Sequence, residues 1–589
     1  MRPIFGCFCA LLLLAIPADG RVFINEIMFH PGHDPEEPED LRLEYIELIN
    51  IGTAPVALAG YSFDRGIAYT FSKGEISPGG YLVVAADPDS FQDHYSQAEG
   101  PVLGPWTGRL SNASEKIRLI DPRGQTIDAV TYFDEGAWSV RRKGPEDQGH
   151  RGWEWSSPAD GSGSSLELIN PAMGNGKGQN WGSSQSRLGT PGFKNSLAAT
   201  ETAPIITKTR HHPPLPGPDD PVLITATIDD EFPERIQARV RYRNSHQGGS
   251  FESRAMNDAG LEGDEEANDG TFSTFLPPQP EGHVVEFYLE ADDGQRSRTY
   301  PAPSDDEGGQ EANCLYQIES APIHSDQPVY RAILTKSEAS DLNGISRSGS
   351  ERKTNAHFNA TFIATYGDET DIRYEVGLRL RGNSSRTKLV RSYRLRFPDD
   401  HDWGGDSKHN IQGHFPHLQV LGSQLFRSSG LPAGEALQVS FLINGVNDAD
   451  TDKDRELHHG AYAHVIPNHK GLINDAFPDD SNGSIYYKKS DEGQSWVFHN
   501  GRTDRYAEDS GWIKQNHLAA RDWSDLEQFL EVMNDQRDPN WFQSVRSVFN
   551  LDHALRWFAV MSLISNGETN LSNGKDEDYS VYIPVEDPR

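Results

Sequence analysis

The sequence predicts a multidomain protein in which two all-β sandwiches precede an α+β unit. Three observations carry this. At 589 residues the chain is too long for one hydrophobic core, and ordinary domain sizes divide it into about three or four units. From Val22 the apolar residues fall in short alternating runs such as VFINEIMFHP, EYIELINIG, YLVVAADP and EKIRLIDPRGQTIDAVTY, broken by Gly, Pro, Asn and Asp. Helical spacing comes late: Ser524 and Glu527 form a capping-box pattern ahead of Leu526, Phe529, Leu530 and Met533, and Leu551, Ala554, Leu555 and Phe558 repeat the three-four rhythm.

The extreme N-terminus, residues 1–20, reads as a signal peptide: Arg2, an apolar run from Ile4 to Ile16, and small residues at Ala15 and Ala18. The run falls short of the ~20 residues a membrane span needs, and no later stretch is long enough. The expected location is therefore secreted or cell-surface, without a membrane span. Cys7 and Cys9 would leave with the signal, so Cys314 alone remains and no internal disulfide is expected. Lys+Arg 54 against Asp+Glu 88, a net charge of −34, argues against nucleic acid or anionic membrane as partner, because the long-range field repels phosphate.

The first sandwich spans residues 21–200. Glu26, Glu44 and Glu47 lie in its strand-like segments and are expected on the solvent face of an antiparallel sheet. DGSGSSLELIN, NWGSS and LGTPGFKNS, between Asp160 and Ser196, read as a trailing loop region. A Pro-rich linker, TAPIITKTRHHPPLPGPDDPVLITATI, then enters a second sandwich at residues 203–318. Its acidic stretch Asn257–Gly270 lacks the glycine an EF-hand requires and is expected to be a solvated hairpin loop. A later cluster, NDADTDKDRELHHG, alternates Asp448, Asp450 and Asp452, which makes Ca2+ a candidate there. Lys453 and His459 stand where an EF-hand needs glycine and glutamate, and His458, His459 and His464 have no zinc-site spacing.

Against the acidic background, VGLRLRGNSSRTKLVRSYRLRF places seven basic side chains between Arg379 and Arg396. Alternation puts Val376, Leu378 and Leu380 on one face of a strand with Arg379 and Arg381 opposite. In the next strand Tyr393, Leu395 and Phe397 face away from Arg394 and Arg396. Two readings stay open for this hairpin. Arginines beside the small-residue loop Gly382–Ser385 make a phosphate cradle; equally, they coat a solvent face and pair with carboxylates. Asn383-Ser384-Ser385 is also a glycosylation sequon.

Residues 21–135 resemble the lamin-tail domain, an immunoglobulin-like sandwich, through INEIM, EYIELIN followed by Gly52 and Pro55, SPGGYLVV, and GRLSNASEKIRLIDPRGQTID. Residues 203–318 resemble fibronectin type III or immunoglobulin-like modules. Residues 325–589 resemble the CotH (spore-coat protein H-like) family of atypical protein kinases. That resemblance is carried by VGLRLRGNSS with SYRLRF, FRSSGLPAGEALQVSFLINGVN, HGAYAHV, NGSIYYKK, and FNLDHALRWFAVMSLISNGETNLSNGKDEDYSVY.

The resemblance implies two immunoglobulin-like sandwiches followed by an α+β atypical kinase-like domain, with ATP, Mg2+ or Mn2+, and transfer of phosphate to hydroxyls of extracellular or cell-surface proteins. It further implies that Arg379, Arg381, Asn383, Ser384, Lys388 and Arg391 meet ATP phosphate. Glu568 and Asp578 would serve catalysis, and Asn573 and Asp576 the metal. The chain departs from the family pattern with Arg391 in place of lysine, Ile466 in place of glutamate and Glu568 in place of aspartate. Family members also continue into a segment of metal-binding aspartates, so residues 1–589 are expected to be a fragment. The competing class is a non-catalytic adhesion or scaffold protein with a degenerate kinase-like module.

Overall fold

The computed structural model describes residues 20–32, 39–320, 323, 325–450, 460–467, 470–480, 483–489, 496–516, 522–565 and 578–585. In the first domain a six-stranded sheet centred on Val22–Met28, Tyr45–Asn50 and Tyr81–Ala85 packs on a five-stranded sheet built around Ser114–Ile120 and Thr126–Phe133. Alternating residues of both, Ile24, Ile46, Phe63, Ile117, Leu119 and Val130 among them, form one core.

The expectation for Glu26, Glu44 and Glu47 is corrected: all three are 0% exposed. The segment after Asp160, expected to trail as a loop, adds Leu166–Leu168 and Trp181–Ser183 to the six-stranded sheet and then returns over its second face. Glu26 accepts from Tyr45 Oη (2.7 Å), Ser165 Oγ (2.5 Å) and the Thr190 amide (2.7 Å). Glu47 accepts from Asn25 Nδ2 (2.8 Å) and the Gly192 amide (2.5 Å), while Glu44 takes the Leu110 amide (3.0 Å). Both faces of the sheet are interior, so strand alternation no longer separates wet from dry.

The second domain is a sandwich of a three-stranded and a five-stranded sheet. Its core continues into the third domain, for Ile333, Ile363, Ile372 and Tyr374 pack among its own buried residues.

The third domain opens with a closed seven-stranded barrel made of Val329–Ile333, Phe358–Tyr366, Glu369–Arg381, Ser392–Arg396, Lys408–Gln412, Tyr462–Val465 and Ala436–Ile443. The last strand closes it by pairing in parallel with the first. Tyr330, Phe362, Leu378, Leu395 and Phe441 fill its interior.

A three-stranded sheet of Ser484–Lys488, Trp512–Lys514 and Tyr579–Ile583 follows, with helices Ser524–Asn534, Trp541–Val548 and Leu551–Leu563. The predicted Ser524–Glu527 capping box is not formed. Ser524 already lies inside the helix, its amide bonds Asp522 Oδ1 (2.9 Å), and Glu527 instead accepts from the Gly501 amide. Among the described residues no helix is long and apolar enough to cross a membrane.

The first domain reaches the barrel through the hairpin Val140–Asp147 and His150–Ser156. The Trp153 amide donates to His357 O (2.7 Å), Arg141 Nη1 to Asn359 Oδ1 (2.6 Å), and the Ala137 amide to Asp400 Oδ2 (2.8 Å).

Candidate functional site

Glu369–Arg381 and Ser392–Arg396 pair as the predicted hairpin, with Arg379 opposite Arg394 and Arg381 opposite Ser392. Leu378, Leu380, Tyr393, Leu395 and Phe397 point into the barrel, each 2% exposed or less. The arginines therefore stand on the outer face. The next strand extends it, setting Asn410 beside Arg394 and Lys408 beside Arg396.

This face concentrates positive charge. Arg379, Arg381 and Arg394 are each half-buried. Burial, then mutual repulsion with Arg394, Arg386 and Arg381, pulls Arg379 below the usual guanidinium range. Arginine stays charged even so, and the repulsion remains for a bound anion to relieve. Burial first, then the charges of Arg379, Arg141, Arg394 and Lys408, push His357 down to about 3, so it sits neutral among them. Arg379 Nε is buried without a hydrogen-bond partner among the described residues. Arg394 Nε reaches Asn410 Oδ1 (3.0 Å). At the lower end Arg396 pairs with Glu135 of the first domain. At the upper end Arg381 lies within electrostatic reach of Asp578, whose carboxylate accepts from Tyr487 Oη.

The loop between the strands begins with Gly382 at φ +98°, where an added Cβ would lie 1.8 Å from Ser385 Oγ. That left-handed, crowded position requires glycine. The 3-10 turn Ser384–Thr387 follows. Asn383 is exposed and its carbonyl accepts from Arg352 Nη1 (3.5 Å). The Lys388 carbonyl accepts from Arg347 Nε (3.2 Å).

Arg391 stands apart from this face. It is 4% exposed and donates to Leu342 O (3.2 Å) and Ile345 O (2.5 Å), closing the C-terminal end of helix Lys336–Gly344. Of the residues expected to serve phosphate, the structure gathers Arg379 and Arg381 on one face, sets Asn383, Ser384 and Lys388 in the adjoining loop, and spends Arg391 on a helix end. Asp578 is beside Arg381, whereas Glu568, Asn573 and Asp576 lie outside the described residues.

Asp448 and Asp450 form a single 3-10 turn, and Asp452 lies outside the described residues. Among the described residues, carboxylates spaced for a metal ion occur instead in the acidic loop of the second domain, at Asp258, Asp264 and Asp269. Backbone amides already occupy that cluster: Asp258 accepts from Asp269 and Gly270, and Asp264 from Gly260.

Sequence reasoning missed Lys408, His357 and Arg141. Lys408, Asn410 and Gln412 alternate as polar positions of one strand and were findable; Arg141 lies in another domain and carries no local signal.

A β-rich multidomain protein whose third domain opens with a barrel carrying a basic outer face is the class these features define. Residues 16–134 match the Lamin Tail Domain model and residues 378–587 the CotH kinase protein model, so the chain carries a lamin tail domain and a CotH kinase-related domain. No curated protein matches the chain. A cycloalternan-forming enzyme from Listeria monocytogenes, solved with a pentasaccharide substrate, is 12% identical, with 35% of this chain and 15% of that one covered and a TM-score of 0.14. An uncharacterised Listeria monocytogenes protein, solved with glucose, magnesium and calcium, is also 12% identical, covered to the same extents, at a TM-score of 0.13.

Proposed function

We propose that this is an exported enzyme of the CotH kinase kind, holding the triphosphate of ATP on the basic barrel face and transferring phosphate to hydroxyls of extracellular or cell-surface proteins. The observation that supports this most is the gathering of Arg379, Arg381 and Arg394 on one half-buried barrel face, Arg379 directly across from Arg394, in a chain of net charge −34. Like charges gathered in a half-buried site favour an anion with several oxygens, and guanidinium forks match phosphate geometry. The unpartnered Nε of Arg379 fits the same ligand.

ATP with Mg2+ or Mn2+ supplies the phosphoryl group and neutralises its developing charge. In this reading Arg381 and Arg379 orient the phosphates. Asp578, held by Tyr487, would take the proton of an acceptor hydroxyl. Asn573 and Asp576 would hold the metal and Glu568 would share the acceptor side. The two sandwiches would attach the enzyme to a surface or to protein partners.

The test is thermal melting of the full chain with ATP and Mg2+, followed by transfer of labelled phosphate to an acceptor protein. Ligand at about 100 times Kd adds roughly 2.7 kcal/mol, visible as a rise in Tm. Arg381→Ala should remove most of that rise, while Arg239→Ala, at an exposed side chain of the second domain, should leave it. A melting shift without transfer, in this chain and in one extended through the expected aspartate segment, is the outcome for the non-catalytic module. No shift overturns the phosphate reading altogether.

A further inference from the structure

We infer that Asp147, from the lamin-tail side of the molecule, is a positioning residue for the arginines of the barrel face; this rests on the phosphate reading above. Asn355 Oδ1 accepts from both Arg379 Nη1 (3.0 Å) and Arg386 Nη2 (2.9 Å), so one amide oxygen ties the strand arginine to the loop arginine. Asn355 is itself held from the first domain. Its backbone amide donates to Asp147 Oδ2 at 2.6 Å, and Thr354 Oγ1 lies 3.4 Å from the same oxygen. Arg386 also donates to the Thr354 and Arg352 carbonyls, which fixes the loop against the same segment.

The contact is built into the hairpin. A Cβ on Gly152 would lie 2.3 Å from the His357 amide nitrogen and 2.8 Å from Ala356 Cα, so glycine there lets the two backbones meet. The first domain thus supplies the wall against which the cation cluster is set, and the barrel alone lacks the carboxylate that fixes Asn355. Asp147 also lies near enough to favour the charged forms of Arg379 and Arg386.

Those two roles have opposite signs for an anion, which makes the inference separable from plain stability. Removing the negative charge alone strengthens anion binding; losing the anchor weakens it. Inorganic tripolyphosphate is titrated into the full chain by calorimetry, and ligand-free Tm is recorded for each variant. Asp147→Ala is expected to raise Kd about tenfold, the lower end of what orienting partners one layer out are worth in metal sites. Asn355→Ala should do the same, and the double variant should cost no more than the larger single change. Asp147→Asn keeps an acceptor for the Asn355 amide and should bind at least as tightly as the parent. Tighter binding by Asp147→Ala, or a Kd unchanged beside a lowered ligand-free Tm, overturns the inference, as does Asp147→Asn behaving like alanine. If the parent does not bind tripolyphosphate, or Arg381→Ala binds as the parent does, the phosphate reading itself falls and takes this inference with it.

Discussion

The indole N–H of Trp153 donates to Glu338 Oε1 at 2.5 Å, closing the first domain on the first helix of the third. Glu338 Oε2 accepts the Asn359 amide (2.6 Å), and Lys143 Nζ lies 3.3 Å from Oε1 and 4.0 Å above the Trp153 ring. Burial pushes the Glu338 carboxyl up, and Lys143, Trp153 and Arg141 work against that. Removing the tryptophan opens a cavity and unpairs part of a buried acid at once. Trp153→Ala should cost about 3–5 kcal/mol by urea unfolding, and Trp153→Phe, which loses the donor but keeps an apolar ring, about 1–3 kcal/mol. A loss under about 0.5 kcal/mol for alanine would show the interface to be incidental.

How much of this was legible in the sequence depends on the range of the interaction. Alternation alone placed Leu378, Leu380, Leu395 and Phe397 inside and Arg379, Arg381 and Arg394 outside, because a strand decides that locally. The burial of Glu26 and Glu47 was not legible. It is caused by Thr190 and Gly192, well over a hundred residues downstream, folding back over a face that local pattern marks as wet. Asp147 and Asn355 meet across a domain boundary for the same reason. A capping box has its own limit: Ser524 and Glu527 have the right spacing, but Glu527 has a tertiary partner in Gly501.

Glu26 gives the chain a pH dependence of known sign. Burial, with Glu167 adding to it, pushes its carboxyl up to about 7, against donors Ser165, Thr190 and Tyr45. Between the unfolded value of 4.5 and about 7 the unfolded chain releases a proton that the folded chain keeps. This group's contribution therefore falls as pH rises through that window and levels off above it. Glu26→Gln removes the ionisation while keeping the oxygen that takes three donors. Relative to the parent, it should gain roughly 1–3 kcal/mol of stability on going from about pH 5 to about pH 8. Equal effects at both values would contradict the shift.

Cys314 is the free cysteine of the described residues, fully buried, with burial pushing its thiol well up. It has neither the thiolate character nor the access that exchange requires. With residues 1–20 removed, thermal unfolding with and without reductant should coincide. A drop of several degrees in reductant would reveal a disulfide that this geometry does not provide.

Arg381 and Arg396 lie at opposite ends of the basic face and should fail differently. The Arg381 guanidinium has like-charged Arg394 and the opposing Asp578 within electrostatic reach and no side-chain hydrogen bond or ion pair among the described residues, so Arg381→Ala should leave the ligand-free Tm little changed. On the phosphate reading its cost should appear when ATP is added. Arg396 instead pairs with Glu135, whose side chain is 4% exposed while the arginine is 38% exposed. Truncating it strands a buried carboxylate. Breaking a fully buried pair costs about 3–5 kcal/mol; partial exposure of Arg396 reduces that to roughly 1–3 kcal/mol. Arg396→Ala should therefore lower the ligand-free Tm and leave a larger share of the ATP response than Arg381→Ala does. Adding Glu135→Gln to Arg396→Ala should recover part of the lost stability, because the uncompensated charge goes with it. If the two alanine variants lose stability and ATP response in the same proportions, the face acts as a uniform charged surface and not as a site with a structural end and a ligand end.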